Sequence, residues 1–158
     1  METIEQITQY YKYSDTLAAG GQPTARQIEL LKESGVEMII NISPVSARNA
    51  LRDEHALAEA LHMDYVHFPV DCSNLREVHY LTIRALLNAA EGSKVFMHCG
   101  GNIKTSCLIH MYQVLEKEMD ERQSANTLLE IHVPEDKWFR YFRKMGMDGL
   151  GQIGSPDE

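Results

Sequence analysis

The chain has 158 residues, of which 44% are hydrophobic and 24% charged, and its formal net charge is −8. These values are typical of a soluble globular protein, so we expect a single domain over residues 1–158. An acidic chain repels nucleic acid and anionic lipid, which argues against both as partners. No apolar run approaches the ~20 residues of a membrane helix, and residues 1–15 lack the pattern of a secretory signal. The sequence therefore predicts a cytoplasmic protein without membrane association, although a signal peptide that had been removed would leave the same sequence.

The predicted elements alternate between strands and helices. In chain order they are strand 17–19, helix 25–34, strand 36–42, helix 52–62, strand 65–70, helix 76–90, strand 95–98 and helices 105–119, 124–132 and 136–145. The strand segments are apolar without strict alternation, which is typical of buried parallel strands. Thr24 is the expected N-cap of the first helix, and Gly35 ends it. The pattern predicts an α/β fold with a central, mostly parallel sheet of four to five strands flanked by helices.

Aromatic residues are concentrated near both ends of the chain. In the helix predicted over 136–145 they alternate with cations, and we expect the aromatic rings to pack inward while the cations remain in solvent. The aromatic residues at the two ends either complete the core or form the interface of a homodimer, and the sequence does not decide between these roles. The glycine-rich tail 146–158 is expected to be loose.

Segment 95–106 joins a predicted strand to a predicted helix through a short glycine-containing loop. The N-terminus of a helix leaves backbone N–H groups unpaired and has a partial positive charge. Glycines allow further N–H groups to turn inward, which would form a cradle for a phosphate-like anion. The residues predicted to bind this anion are Gly100, Gly101, Asn102, Ile103, Lys104, Thr105 and Ser106.

Cys99 would lie at the base of this cradle. The field of the N–H groups stabilises a thiolate, and such surroundings lower a cysteine pKa from about 8.5 into the range of ~3.5–7.5. A thiolate below a bound phosphoryl group can attack it and form a cysteinyl phosphate. The competing interpretation is a buried cysteine at the end of a strand with no chemical role. We expect His98 to point away from the anion and to hydrogen-bond around the loop.

A cysteine phosphatase also needs a general acid, and the best candidate is Asp71. It follows the strand predicted over 65–70, so it would lie with Cys99 at the carboxyl ends of parallel strands, where ligands bind in open α/β sheets. The alternative is an aspartate in a surface turn, since Ser73 and Asn74 follow it closely. Both interpretations stay open at this point.

At these residues the chain resembles the tyrosine and dual-specificity phosphatase superfamily. It is more closely similar to a bacterial phosphatase-like family first described as a domain of unknown function and also found fused to β-lactamase-like hydrolases. The resemblance covers roughly residues 17–119 and rests on segments 36–42 and 65–70, on Gly20-Gly21-Gln22-Pro23-Thr24 and on His98-Cys99. It implies the cysteine-phosphatase-like fold, Cys99 as nucleophile, Asp71 as acid and a phosphorylated small molecule or phosphoprotein as ligand.

The loop departs from the superfamily pattern of His-Cys, five residues, Arg, then Ser or Thr. That register places Thr105 at the arginine and Asn102 at the loop glycine. The shorter register of the bacterial family places Lys104 at the arginine and Thr105 at the hydroxyl, and we prefer it because it keeps a cation in the site. Lysine carries a mobile point charge, whereas the planar guanidinium of arginine forms bidentate hydrogen bonds with two oxygens.

Three functions from different classes fit the sequence. The first is a phosphatase that acts through Cys99, Lys104 and Asp71; the second is a pseudophosphatase that binds a phosphorylated ligand without turnover. The third is a rhodanese-like sulfurtransferase, which also places a cysteine in a loop before a helix. None requires a metal or cofactor, and the 3 cysteines include no Cys-x-x-Cys pair.

Overall fold

The computed structural model describes residues 2–153. Its centre is a five-stranded sheet. The strands are β1 (Tyr11–Lys12), β2 (Leu17–Gly20), β3 (Met38–Asn41), β4 (Asp64–His67) and β5 (Val95–His98). They lie in the order β1-β2-β5-β3-β4. Only the pairing of β1 with β2 is antiparallel, and the other pairings are parallel. The predicted α/β fold with a mostly parallel sheet is confirmed, and β1 is the strand that the sequence did not predict.

The helices follow the predicted order with shifted ends. They are α1 (Ala25–Glu33), α2 (Glu54–Ala60), α3 (Glu77–Ala89), α4 (Ile103–Leu115), α5 (Glu121–Ile131) and α6 (Asp136–Lys144), and a short 3-10 helix (Ile4–Gln6) precedes β1. Thr24 caps α1 as predicted, because its side chain accepts from Gln27 N at 3.1 Å while the Gln27 side chain accepts from Thr24 N at 2.9 Å.

Apolar side chains cover both faces of the sheet. One cluster contains Val95, Met97 and Cys99 together with residues of α3, α4, α5 and α6, and the other contains Phe96 with residues of α1 and α2. Successive side chains of a strand point to opposite faces, so Cys99 and His98 are directed to different sides of the sheet. This alternation directs His98 toward the face that α2 covers.

Helix α6 is amphipathic as the sequence predicted. Trp138, Phe139, Tyr141 and Phe142 are buried, whereas Arg140 and Lys144 are exposed. The first part of the segment predicted as a loose tail, residues 146–150, makes contacts with the helices. The carboxylate of Glu121 accepts hydrogen bonds from the N–H groups of residues 148–150 at 2.7–2.9 Å, and Met147 is buried. Residues 148–150 are therefore hydrogen-bonded to the first residue of α5, while the end of the predicted tail, 154–158, lies outside the described residues.

Within residues 2–153, no helix has the length and apolar character needed to cross a membrane. The same range contains no group of three His, Cys, Asp or Glu side chains placed to hold a metal ion.

Candidate active site at the carboxyl end of the sheet

The parallel strands end together beneath the loop that follows β5. Cys99 is the first residue after β5, and its N–H group donates to the carbonyl of Gly20, the last residue of β2, at 3.4 Å. On the other side of β5, the N–H group of Ile42 donates to the carbonyl of His98 at 2.9 Å. The loop thus starts from the centre of the sheet, which fixes the position of its first residue.

The backbone of the loop offers unpaired hydrogen-bond donors. Loop N–H groups without an acceptor within residues 2–153 include those of Gly100, Gly101, Ile103, Lys104 and Thr105. The next N–H group, that of Ser106, donates to the carbonyl of Asn102 at 3.3 Å, so the hydrogen-bond ladder of α4 begins there. Unpaired donors at a helix N-terminus favour a bound anion. The unpaired donors therefore lie together in the loop and in the first turn of α4.

Cys99 itself is only 2% exposed and borders the apolar cluster that includes Val70 and Cys107. Burial, followed by the charges of Cys99 and Cys72, raises the pKa of Cys107 well above its ordinary value, so Cys107 stays a neutral thiol. Both are free cysteines. Of the two, Cys99 alone adjoins the unpaired N–H groups, which distinguishes it chemically from Cys107.

The segment Gly20-Gly21-Gln22 packs against the loop and hydrogen-bonds to it. Gln22 N donates to the carbonyl of Gly100 at 3.0 Å, and Asn49 Nδ2 donates to the same oxygen at 3.0 Å. A Cβ atom on Gly21 would lie 2.5 Å from that oxygen and 3.1 Å from the Cα of Gly101. The close approach of two backbones therefore requires glycine at position 21.

Asn102 is the N-cap of α4 and adopts a left-handed conformation with φ 65°. Asparagine tolerates this region better than most residues, which explains how it occupies a position where the superfamily pattern has glycine. Its buried side chain donates from Nδ2 to the carbonyl of Gln9 at 2.8 Å, while its Oδ1 has no partner within the described residues. Asn102 thus anchors the loop to the N-terminal segment.

Lys104 lies in the first turn of α4 and is half-buried. Its Nζ donates to the carbonyl of Val70 at 2.6 Å, which places the ammonium beside the segment that follows β4. Thr105 is fully buried, and its hydroxyl has no partner within the described residues. The loop therefore has its cation directed toward Val70 and a buried hydroxyl without a partner at position 105.

The hydroxyl of Ser106 is turned back into the helix. Its Oγ donates to the carbonyl of Ile103 at 3.1 Å and lies 3.3 Å from Nδ1 of His132. Ser106 is 1% exposed. The Ser106 hydroxyl is thus bonded back to the helix backbone, and the hydroxyl without a partner in the described residues is that of Thr105.

Asp71 follows the segment that contains Val70. Its Oδ1 accepts hydrogen bonds from the hydroxyl of Ser73 at 2.6 Å and from Ser73 N at 2.9 Å. These two bonds, with smaller contributions from the charges of Lys104 and His79, hold the pKa of Asp71 below its ordinary value despite the opposing effect of desolvation. The structure thus places Asp71 near the cation of the loop, in a turn, as an ionised carboxylate.

Glu54 is the functional candidate that sequence reasoning missed. Its Oε2 lies 2.6 Å from Nε2 of His98, and its Oε1 accepts from Gln22 Nε2 at 2.6 Å. Burial alone would raise the pKa of Glu54, but the hydrogen bond and the charge of His98, together with hydrogen bonds from Gln22 and Tyr65, leave it lower than usual. Glu54 precedes His98 by 44 residues. Only the alternation of His98 toward the α2 face hints at this pairing in the sequence.

The architecture and the cysteine loop together define the tyrosine-phosphatase-like fold. No family model matches the chain, and no curated protein matches it by sequence. Among solved structures, a DUF442 protein from Shewanella putrefaciens CN-32 is 29% identical with a TM-score of 0.77, over 92% of this chain and 96% of that one. A second DUF442 structure from the same organism is 26% identical with a TM-score of 0.79, over 89% of this chain and 93% of that one.

A more distant match has a bound ligand. A cysteine-to-serine variant of Pseudomonas aeruginosa TpbA in complex with phosphotyrosine is 22% identical with a TM-score of 0.69, over 96% of this chain and 90% of that one. This likeness shows the fold alone. The chain is thus a structural match to DUF442 and tyrosine or dual-specificity phosphatase structures, and its structural relatives are cysteine-dependent phosphatases.

Proposed function

We propose that this protein hydrolyses a phosphomonoester through a cysteinyl-phosphate intermediate. The observation that supports this most strongly is the adjacency of Cys99 to a row of backbone N–H groups that have no acceptor within residues 2–153. A phosphoryl group brings three oxygens that accept such hydrogen bonds, and the same groups stabilise a thiolate. One loop would then both bind the substrate and activate the nucleophile.

In the first step the Cys99 thiolate attacks phosphorus, and the sulfur–phosphorus bond forms as the bond to the leaving oxygen breaks. The leaving oxygen takes a proton from Asp71. Because Asp71 is ionised in the free protein, it must take up that proton with the dianionic substrate, whose charge raises the pKa of a neighbouring carboxyl. Lys104 stabilises charge on the phosphoryl oxygens.

In the second step Asp71, now a carboxylate, removes a proton from water as the water oxygen attacks phosphorus. The sulfur–phosphorus bond breaks, and its electron pair returns to Cys99. Inorganic phosphate leaves, and the thiolate is regenerated. The buried hydroxyl of Thr105, without a partner in the described residues, is available to donate to the departing sulfur.

The ligand that this site fits is a phosphorylated small molecule or a phosphoprotein. TpbA, whose fold is similar, binds phosphotyrosine in its crystal structure. Phosphotyrosine is therefore the first probe to compare with phosphoserine and with a generic aryl phosphate.

Cys99→Ser is the direct test of the nucleophile. We expect it to abolish hydrolysis of p-nitrophenyl phosphate while phosphate binding, measured by isothermal titration calorimetry, persists. Rapid quench of the wild-type protein with intact-mass detection should reveal a phosphoryl adduct on Cys99. Cys72→Ser is the matched control, since Cys72 is a half-buried free cysteine outside the loop and its loss should leave turnover unchanged. Turnover that survives Cys99→Ser would refute the proposal.

Asp71→Asn tests the acid. The substitution keeps the shape of the side chain but removes the proton that the leaving oxygen needs, so hydrolysis of an alkyl phosphate should slow by about 10²-fold or more. A p-nitrophenolate leaving group needs little protonation by a general acid, so hydrolysis of p-nitrophenyl phosphate should slow far less. Equal effects on the two substrates would assign Asp71 to the turn that Ser73 forms and not to proton transfer.

The second candidate function is binding of a phosphorylated ligand without turnover. Two observations favour it: Lys104 stands in place of arginine and already donates to Val70 O at 2.6 Å, and the carboxylate of Asp71 is held by Ser73. Measurable phosphotyrosine binding, with neither product nor a phosphoryl adduct on Cys99 after prolonged incubation, would select this function.

A further inference from the structure

A buried chain of hydrogen bonds leads from Glu54 to the residue that precedes the loop. Glu54 is 4% exposed and His98 is 0% exposed, and their side chains approach to 2.6 Å. On its other side, Nδ1 of His98 lies 3.2 Å from the carbonyl oxygen of Cys99. The two side chains connect helix α2 with the backbone of the cysteine itself.

The partners of His98 determine its protonation. A carbonyl oxygen can only accept, so Nδ1 of His98 must donate to Cys99 O. Glu54 accepts from Gln22 through its other oxygen and is placed to accept from Nε2 of His98 as well. Since both ring nitrogens then donate, the arrangement is that of an imidazolium paired with a carboxylate.

The same network reaches the loop by a second route. Gln22 donates from its side chain to Glu54 and from its backbone N–H to Gly100 O at 3.0 Å. Glu54 therefore contacts, through Gln22 and His98, the carbonyl groups on both sides of the bond that joins Cys99 to Gly100. A buried charge that is paired and hydrogen-bonded on every side holds its partners in one geometry.

We propose that Glu54 is a positioning residue that keeps His98 doubly protonated and thereby favours the thiolate of Cys99. The imidazolium donates to the carbonyl oxygen of Cys99, in buried surroundings where solvent weakly screens the field of the ring. Glu54 does not touch the substrate; it acts through His98. The inference concerns the nucleophile of the proposed phosphatase, and the tests below do not depend on turnover.

Glu54→Gln removes the carboxylate charge and keeps the size of the side chain. The rate of Cys99 alkylation by iodoacetamide, followed by peptide mass spectrometry between pH 4.5 and 9, reports the thiolate fraction at each pH. We expect the midpoint of this profile to rise by about one pH unit in the variant. Below the midpoint the rate should fall about tenfold, and at high pH the two profiles should converge.

Glu59→Gln is the matched control, because Glu59 lies on the same helix but is exposed. It should leave the alkylation profile unchanged. Glu54→Asp keeps a carboxylate and should restore a midpoint lower than that of Glu54→Gln, a rescue that a purely packing role would not produce. An unchanged midpoint in folded Glu54→Gln would overturn the inference.

A measurement on the unmodified chain covers the case in which the variants do not fold. Long-range ¹⁵N–¹H spectra of histidine-labelled protein distinguish an imidazolium from either neutral tautomer. We expect the His98 ring to give the imidazolium pattern at pH 7, and a neutral ring would overturn the inference. Should the midpoint shift be found without any phosphatase activity, the role of Glu54 would stand and the proposed reaction would fail.

Discussion

Lys104 is the side-chain cation of the proposed anion-binding loop. Its ammonium lies beside Val70 O, where one of its three N–H donors is used and the others remain available. Because it is half-buried on α4, its charge is less screened than that of a surface lysine. A single mobile charge nevertheless cannot form the paired hydrogen bonds of a guanidinium.

Lys104→Arg should therefore strengthen phosphate binding on the order of tenfold, through an added charge-assisted hydrogen bond. Calorimetry with inorganic phosphate measures the change, and Lys104→Met should weaken binding under the same conditions. Lys32→Arg, at an exposed position of α1, is the control and should leave affinity unaltered. If neither Lys104 variant changes affinity, the lysine does not contact the anion.

At the scale of elements, the close approach of the β2 end to the loop controls the shape of the site. The added methyl group of Gly21→Ala would meet backbone atoms at 2.5 and 3.1 Å, and backbone cannot move aside as a flexible side chain can. The loop must shift, so turnover should fall by about 10²-fold, in keeping with the effect of a 1 Å displacement. Gly92→Ala is the control: its methyl group meets no atom within 4 Å, and at φ 91° it should reduce stability without changing the kinetics.

Local sequence signals predicted most of the elements that surround the site. The buried strands have the apolar composition that the sheet requires, and Thr24 with Gln27 forms the N-terminal capping box of α1. The start of α4 was predicted at residue 105 but lies at Ile103, since Asn102 forms the turn through its left-handed conformation. Strand β1 has only 2 residues, too few for a period to be read.

Local sequence patterns could not predict the contacts between the site and residues distant in the chain. Cys99, Gly100, Gly101 and Lys104 could be proposed as site residues from the sequence because strand, glycines and helix are consecutive in the chain. The pairing of Glu54 with His98 joins residues 44 positions apart and depends on how α2 packs on the sheet. The turn that Ser73 forms with Asp71 was foreseen as an alternative, and the structure contains it; whether Asp71 also transfers a proton remains a prediction.

For the molecule as a whole, a buried histidine makes stability depend on pH. His110 lies on α4 with Nδ1 2.7 Å from Ser124 Oγ of α5 and its ring 5.1 Å from that of Phe142 of α6. Burial, only slightly offset by Glu121, lowers the pKa of His110 to about 4. The folded protein therefore keeps this ring neutral at pH values where the unfolded chain, with an ordinary histidine pKa near 6.5, binds a proton.

Proton linkage gives the direction in which the free energy of unfolding changes with pH. The unfolded state binds more protons below pH 6.5, so the free energy of unfolding decreases as the pH falls from about 6.5 toward 4. Between pH 7.5 and pH 5 the contribution of His110 should fall by about 2 kcal/mol. Urea unfolding at the two pH values measures this loss. His110→Gln should reduce the difference between them, whereas His62→Asn, at an exposed histidine, should not.

The link between Asn102 and Gln9 has a practical consequence for anyone who handles this protein. The first residues of the chain precede the strand–loop–helix segment that contains Cys99, yet the carbonyl of Thr8 accepts from Gly21 N at 2.7 Å and Gln9 accepts from Asn102. Both of these bonds end at the residues that support or cap the cysteine loop. A truncation that begins at β2 would remove both of these bonds, so the loss of phosphate binding or turnover in a shortened chain would not test the chemistry proposed for Cys99.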